Sequence, residues 1–302
     1  MSNTETGGSG RQTKSKGSSS QRNKGKEKES TNLEYDHTWF TGKVEKKLYN
    51  HVWIRNGVAI GREFNLNSFE NLQFGYLEDF TNRGWMNLAS FKVESILTLC
   101  QEFMSNIKHK LVIEEGKERM ISWVWEKKLK ITPNTFPEIY GLPRIENPEF
   151  EFSNVRMLDL DAISRELLRD DDIWDGEVQC TKTLLKDRYL ILFLFSCQSL
   201  LPLKHTIAIG VTRANLLRVI STRKTIDLPR MMFIALCVAY DSSDPRGLVP
   251  YIGFPTELFK RHDVHIPVDL TRIEPEKPID RYSLTCFEGH QKKRKVEEGA
   301  SD

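Results

Sequence analysis

Five acidic side chains crowd into eight positions at Asp170, Asp171, Asp172, Asp175 and Glu177. Carboxylates at such density raise the question of metal-dependent phosphoryl transfer. In that chemistry three acids converge on two metal ions, which clamp the attacking and leaving oxygens. Consecutive residues, however, send their side chains apart, and no alternating strand pattern precedes them. The stretch Ile145 to Glu177 holds eleven acids against three arginines. It reads as a solvated acidic loop and not as a metal site.

A basic set follows: Lys204, Arg213, Arg218, Arg223, Lys224 and Arg230, against the single acid Asp227. Two helices joined by Ser221 to Ile226 would resemble a helix-turn-helix, whose second helix enters a DNA groove. These six cations are therefore the candidate nucleic-acid contacts. The second helix, around Met231-Met232-Phe233-Ile234-Ala235-Leu236, is apolar all round and reads as buried. The favoured reading is that the cations pair with the acidic stretch inside the fold.

Histidines and cysteines do not assemble into a recognisable centre. His262 and His265 would share one helix turn, yet Pro267 follows and no cysteine lies near. No Cys-x-x-Cys, Walker loop, Gly-x-Ser-x-Gly or His-Glu-x-x-His occurs. Cys100, Cys180, Cys197, Cys237 and Cys286 are odd in number and widely spaced, and three lie in apolar runs. They suit free thiols in a reducing compartment better than a disulfide framework. No catalytic residue, cofactor or metal is expected, and the chain reads as a non-enzyme.

The last basic cluster is Lys292-Lys293-Arg294-Lys295-Val296. Four adjacent cations in a polar tail resemble a nuclear localisation signal that docks on an acidic import receptor. The competing reading is a solubilising tail, with Glu297-Glu298 offsetting part of the charge. Nuclear import is the favoured reading, and the cytoplasm the alternative.

What must position these groups is a chain of 302 residues with formal charge +2. Residues 1–30 carry seven Lys/Arg against three Glu; the remainder carries 37 basic and 39 acidic side chains. The folded part thus lacks the strong basic footprint of a protein that wraps nucleic acid. Residues 1–36 read as a disordered basic tail, 37–286 as one folded domain, and 287–302 as a second disordered tail. No N-terminal apolar segment suggests a secretory leader. The longest apolar run, Tyr189 to Leu203, is about 15 residues against the roughly 20 a membrane span needs. No membrane partner is expected.

The domain reads as mainly α. Val93, Ile96, Leu97, Cys100, Phe103, Met104 and Ile107 keep helical spacing, and Tyr189 to Leu203 reads as a buried helix capped by Thr181 or Thr183. Leu111 to Ile113, Ile121 to Trp125 and Leu129 to Ile131 read as a hairpin or three-stranded ribbon. Further helices are marked by Thr132-Pro133 closing at Gly141, by Asp161, by Thr212, by Asp227-Leu228-Pro229 and by Phe254-Pro255. Gly84-Trp85 reads as a loop whose ring packs back on the core.

Several of these short motifs recur in a set order. They are Arg62-Glu63-Phe64, Gly84-Trp85, Ile139-Tyr140-Gly141-Leu142-Pro143, Val211-Thr212-Arg213-Ala214-Asn215-Leu216-Leu217, Thr225-Ile226-Asp227-Leu228-Pro229 and Gly253-Phe254-Pro255-Thr256-Glu257-Leu258-Phe259. That order, from Val44 to Ile279, resembles the plant family labelled "putative plant transposon protein". One departure is Pro229, where the family more often has glycine. The resemblance implies a mobile-element origin and carries no catalytic or binding residue across. The leading expectation is a structural or interaction protein of the nucleus with an undefined protein partner. Weak, sequence-tolerant nucleic-acid binding comes second, and a transposase or nuclease third.

Overall fold

The computed structural model describes residues 39–72, 75–108, 116–150, 160–169, 174, 180–202 and 208–283. All of them fall in one unit that clusters from Tyr35 onward. The architecture is mainly α, as the periodicity predicts. The first elements are helix α1 (Lys43–His51), the short strands β1 (Gly57–Val58) and β2 (Arg62–Phe64), and helices α2 (Tyr76–Asn82) and α3 (Met86–Ala89). Then come β3 (Ser95–Ile96), α4 (Leu97–Ser105), the hairpin β4 (Met120–Val124) and β5 (Lys127–Ile131), α5 (Thr135–Tyr140) and α6 (Leu160–Leu167). The C-terminal half holds β6 (Cys180–Thr181), α7 (Asp187–Phe195), β7 (Ala208–Ile209), α8 (Val211–Ser221) and α9 (Leu228–Ser242). It closes with β8 (Leu248–Val249), α10 (Gly253–Arg261), β9 (Arg272–Ile273) and β10 (Glu276–Ile279).

Helix α7 is the hub. Every residue from Tyr189 to Phe195 is buried, and a π turn over Ser196–Leu200 carries the chain on. A helix apolar on all faces has no stable position except the interior. Phe195 meets Phe64 at 5.5 Å, Phe80 at 4.6 Å and Trp85 at 6.2 Å between ring centroids. The ring of Trp85 therefore turns inward, as the Gly84-Trp85 reading requires. A second aromatic cluster stacks Phe136 on Phe254 at 4.2 Å and sets Tyr140 against Phe91 at 4.5 Å.

The β content is mostly stitching. Strand β1 pairs with β8 and β2 with β10, both parallel, while β3–β9 and β6–β7 are antiparallel; each sheet is two-stranded. Three of the pairs tie the segment before α4 to residues 248–279, and β6–β7 joins the segments flanking α7. The expected hairpin is present, with Met120 opposite Ile131 and Val124 opposite Lys127. Trp125 and Glu126 form its two-residue turn with φ of 48° and 63°, the left-handed geometry that matches strand twist. The third proposed strand, Leu111 to Ile113, lies outside the described residues.

Helix starts differ from several expectations. Gly210, not Thr212, precedes α8, and no side chain caps it. Lys186 precedes α7, because Thr181 and Thr183 lie in a separate turn and hydrogen-bond to each other at 2.8 Å. Asp161 sits inside the first turn of α6. The Asp227 expectation is met: its side chain accepts the Arg230 backbone N–H, and proline occupies the opening turn of α9. Pro229 lacks only an N–H that has no helical partner there.

Candidate functional site

Two depressions lie near α8 and α9; of the proposed cations, Arg223 lines one and Arg213 the other. The first is a cleft of about 680 Å³, lined by Asp79, Arg83, Gly84, Trp85, Gly141 to Pro143, Ile145, Arg223, Thr225 and Ile226. Gly84 has φ of +67°, and a Cβ there would also sit 3.1 Å from the Pro143 ring. Two backbone bends are thereby brought to one wall. Arg83 donates to the carbonyls of Lys224 (2.9 Å) and Ile220 (3.0 Å), closing the open end of α8, and lies 4.8 Å from the Trp85 ring. Burial draws its pKa down, Asp79 opposes that, and Arg223 adds to it. Arg223, at φ +59°, pairs with Asp79 at 3.2 Å and stays 70% exposed.

The other cations are also engaged. Arg218 pairs with Glu166 at 3.0 Å, and Glu166 also accepts from Tyr189 and Ser221. Arg230 pairs with Glu118 at 2.9 Å, a carboxylate with 5% of its side chain exposed. Asp227, the acid of this set, is held by Arg144 at 2.9 Å. Lys224 is exposed beside Glu149, whose pKa is lowered first by the Thr225 backbone N–H, with Lys224 a lesser contributor. Of the expected partners in Ile145–Glu177, then, Glu166 takes Arg218 and Glu149 lies near Lys224. Arg223 and Arg230 turn instead to acids distant in sequence. Lys204 lies outside the described residues, as do Asp170 to Asp172, Asp175, Glu177 and Lys292 to Lys295.

The second depression is a groove of about 470 Å³ along α9. Its sides are Met231, Ile234, Ala235, Val238, Ala239 and Ser242 on one hand and the 244–250 segment on the other. Leu201, Pro202, Asn56 and Arg213 complete it. With its amide assigned in the orientation that satisfies both atoms, Asn56 donates to the carbonyls of Asp244 (2.9 Å) and Pro245 (3.1 Å), fixing that wall. Here the reading of α9 as buried all round needs correction. Met231, Met232, Phe233, Leu236, Cys237 and Tyr240 are buried, but Ile234, Ala235 and Ala239 are half-buried and Val238 is 60% exposed. Helical periodicity could not reveal this, because the open face is as apolar as the closed one.

The open face of α9, formed by Ile234, Ala235, Val238 and Ala239, carries no cation. Cys100, Cys197 and Cys237 are buried free thiols, and Cys180 is buried as well. His265 packs its ring 6.2 Å from Trp125. Among the described residues no group of three or more His, Cys, Asp or Glu could hold a metal ion. No described helix is long and apolar enough to cross a membrane.

Residues 81–265, more than half of the chain, match the profile of the "putative plant retrotransposon-related domain". The chain belongs to this family. The domain is thus mobile-element-derived, and the matched segment includes Arg83, Trp85, Gly141 and Arg223 of the cleft and all of α9 in the groove. No curated protein and no solved structure matches the chain.

Proposed function

We propose that this retrotransposon-related domain acts by binding a protein, as a structural or interaction component, and performs no reaction of its own. One observation carries the reading: α9, the longest described helix, leaves a connected apolar face uncovered along a walled groove. Exposed apolar surface that is continuous and shaped marks interaction sites, whereas single exposed residues do not. The chemistry of the thiols is in keeping. Burial pushes Cys100 and Cys237 up to about 12 and raises Cys197 as well, so none supplies a thiolate nucleophile near neutral pH.

The test places a photo-activated cross-linking residue at Val238 in the full chain, with Val268 (also exposed) as control. A discrete protein adduct from plant cell extract is expected at position 238 only, and Val238→Asp should remove its non-covalent counterpart while leaving the melting temperature unchanged. Equal labelling at both positions would discard the reading. Reproducible Mg²⁺- or Mn²⁺-dependent nicking of DNA by the purified chain would discard its non-enzymatic half.

A second reading, weak and sequence-tolerant nucleic-acid binding, draws on Arg223 and Lys224, adjacent and exposed beside the cleft. Such binding should fall steeply with salt and weaken when residues 1–30 are deleted. Nuclear location is proposed from Lys292 to Lys295. A bulky fluorescent fusion should accumulate in the nucleus and spread to the cytoplasm in Lys293→Ala/Arg294→Ala.

A further inference from the structure

Arg213 is the only buried arginine among the described residues, with 8% exposure, and it lines the α9 groove. Its Nη1 donates to Cys197 Sγ at 3.1 Å and its Nη2 to the Leu201 carbonyl at 2.6 Å. Its Nε is buried and has no acceptor. The guanidinium lies 5.9 Å from the Phe193 ring. No described carboxylate forms an ion pair with it, unlike Arg218, Arg223 and Arg230 a few residues on.

A guanidinium cannot shed its proton in a protein, so burial leaves a full positive charge in a poorly solvated place. Such charges are ordinarily paired. Cys197 does not neutralise this one, because burial holds its thiol above the usual range despite Arg213 and Lys182 nearby. The remaining surroundings are apolar or neutral: Leu201, Pro202, Met231, Ile234 and Ala235. At the rim, Arg246 faces Asp244 at 3.8 Å, so those two charges offset each other. Among the described residues, the uncompensated charge of the groove is therefore Arg213. The groove extends from Met231 to Ser242 on α9, about 16 Å at 1.5 Å per residue. That length suits a chain passing across it better than one ending in it.

We propose that the groove receives an apolar peptide segment carrying an internal glutamate or aspartate, whose carboxylate pairs with Arg213. The apolar flanks cover Ile234, Ala235 and Val238, and the carboxylate approaches the guanidinium on the side that lines the groove. Charge-assisted pairing of this kind favours the planar fork of arginine, which lysine cannot reproduce. The inference rests on the protein-binding reading and adds to it the chemistry of the partner.

The test uses the full chain with labelled Ile, Val and Met methyls. The probes are capped pentapeptides with Glu at the centre and Leu, Phe, Ile or Val on either side, each matched by a Gln counterpart. The Glu peptides are expected to shift the methyls of Met231, Ile234 and Val238 and to bind at least tenfold tighter than their Gln counterparts. Arg213→Met should erase that discrimination while apolar contact persists. If Glu and Gln peptides bind alike, the carboxylate anchor is wrong and the protein-binding reading stands. If no peptide shifts these methyls, this inference fails, and the cross-link at position 238 judges the broader reading separately. Should Arg213→Met not fold, the Glu/Gln comparison on the native chain still decides.

Discussion

The cleft by Trp85, at the connection between α8 and α9, and the groove along α9 treat arginine in opposite ways. In the cleft, Arg83 and Arg223 are satisfied by carbonyls at the end of α8 and by Asp79. The charge of Arg83 is used up in holding the fold, while Arg223, 70% exposed, is only partly offset by Asp79 above an apolar floor. In the groove, Arg213 has two neutral acceptors and no carboxylate among the described residues. The contrast teaches that a count of cations says little about a binding surface. What matters is which charges the fold has already balanced.

The largest expected effect tests the support that both regions share. Phe195→Ala should cost about 3–5 kcal/mol, because it opens a cavity among Phe64, Phe80 and Trp85. Denaturant melts measure the cost, and hydrogen exchange should show the Asp79–Trp85 wall loosening more than α9. If α9 loosens equally, the two regions are not separable. Next in size is Arg230→Ala, which strands the buried Glu118 carboxylate; a loss of about 2–3 kcal/mol in the same melts is expected. A loss near zero would mean that water reaches Glu118.

The alkaline limb gives a smaller effect. Burial places the Cys100 and Cys237 thiols at about 12, above their ordinary 9.0. A folded-state pKa that is raised leaves stability intact below pH 9 and removes it as pH climbs from 9 to 12. At pH 10 each thiol should cost about 1–1.5 kcal/mol. Urea melts from pH 7 to 11 should show this decline, and a thiol reagent should leave Cys100, Cys197 and Cys237 of the folded chain unlabelled at pH 8. Rapid labelling of Cys237 would mean that the back of α9 is not dry. The smallest effect is Arg223→Ala, within about 0.5 kcal/mol, since the Arg223 side chain is 70% exposed and its charge is screened by solvent. A larger loss would place Arg223 with Arg83 as a structural cation.

Much of the fold is legible along the chain because its signals are local. An apolar run as dense as Tyr189 to Phe195 has nowhere to go but the core, and Asp227-Leu228-Pro229 announces a helix start by its chemistry. Thr212 and Thr181 mislead for the same reason. A capping residue is recognised by type, but where the helix begins depends on how the preceding turn packs. The groove was not legible at all. Ile234 and Val238 have the same hydropathy as the buried Met232 and Phe233 beside them, and only the absence of a neighbouring element separates the two sets.

The sequence by itself determined a mainly helical domain, the burial of α7, the hairpin at β4–β5 and kinship with a plant transposon family. Each follows from periodicity, turn chemistry or motif order, which are properties of neighbouring residues. Tertiary structure alone decided which cations are spent. Arg218 meets Glu166 across 52 positions and Arg230 meets Glu118 across 112, and Arg213 meets no carboxylate in its described surroundings. Charge compensation in a folded chain is a matter of distance in space, and Coulomb interactions over a few ångströms between residues far apart in sequence leave no local trace.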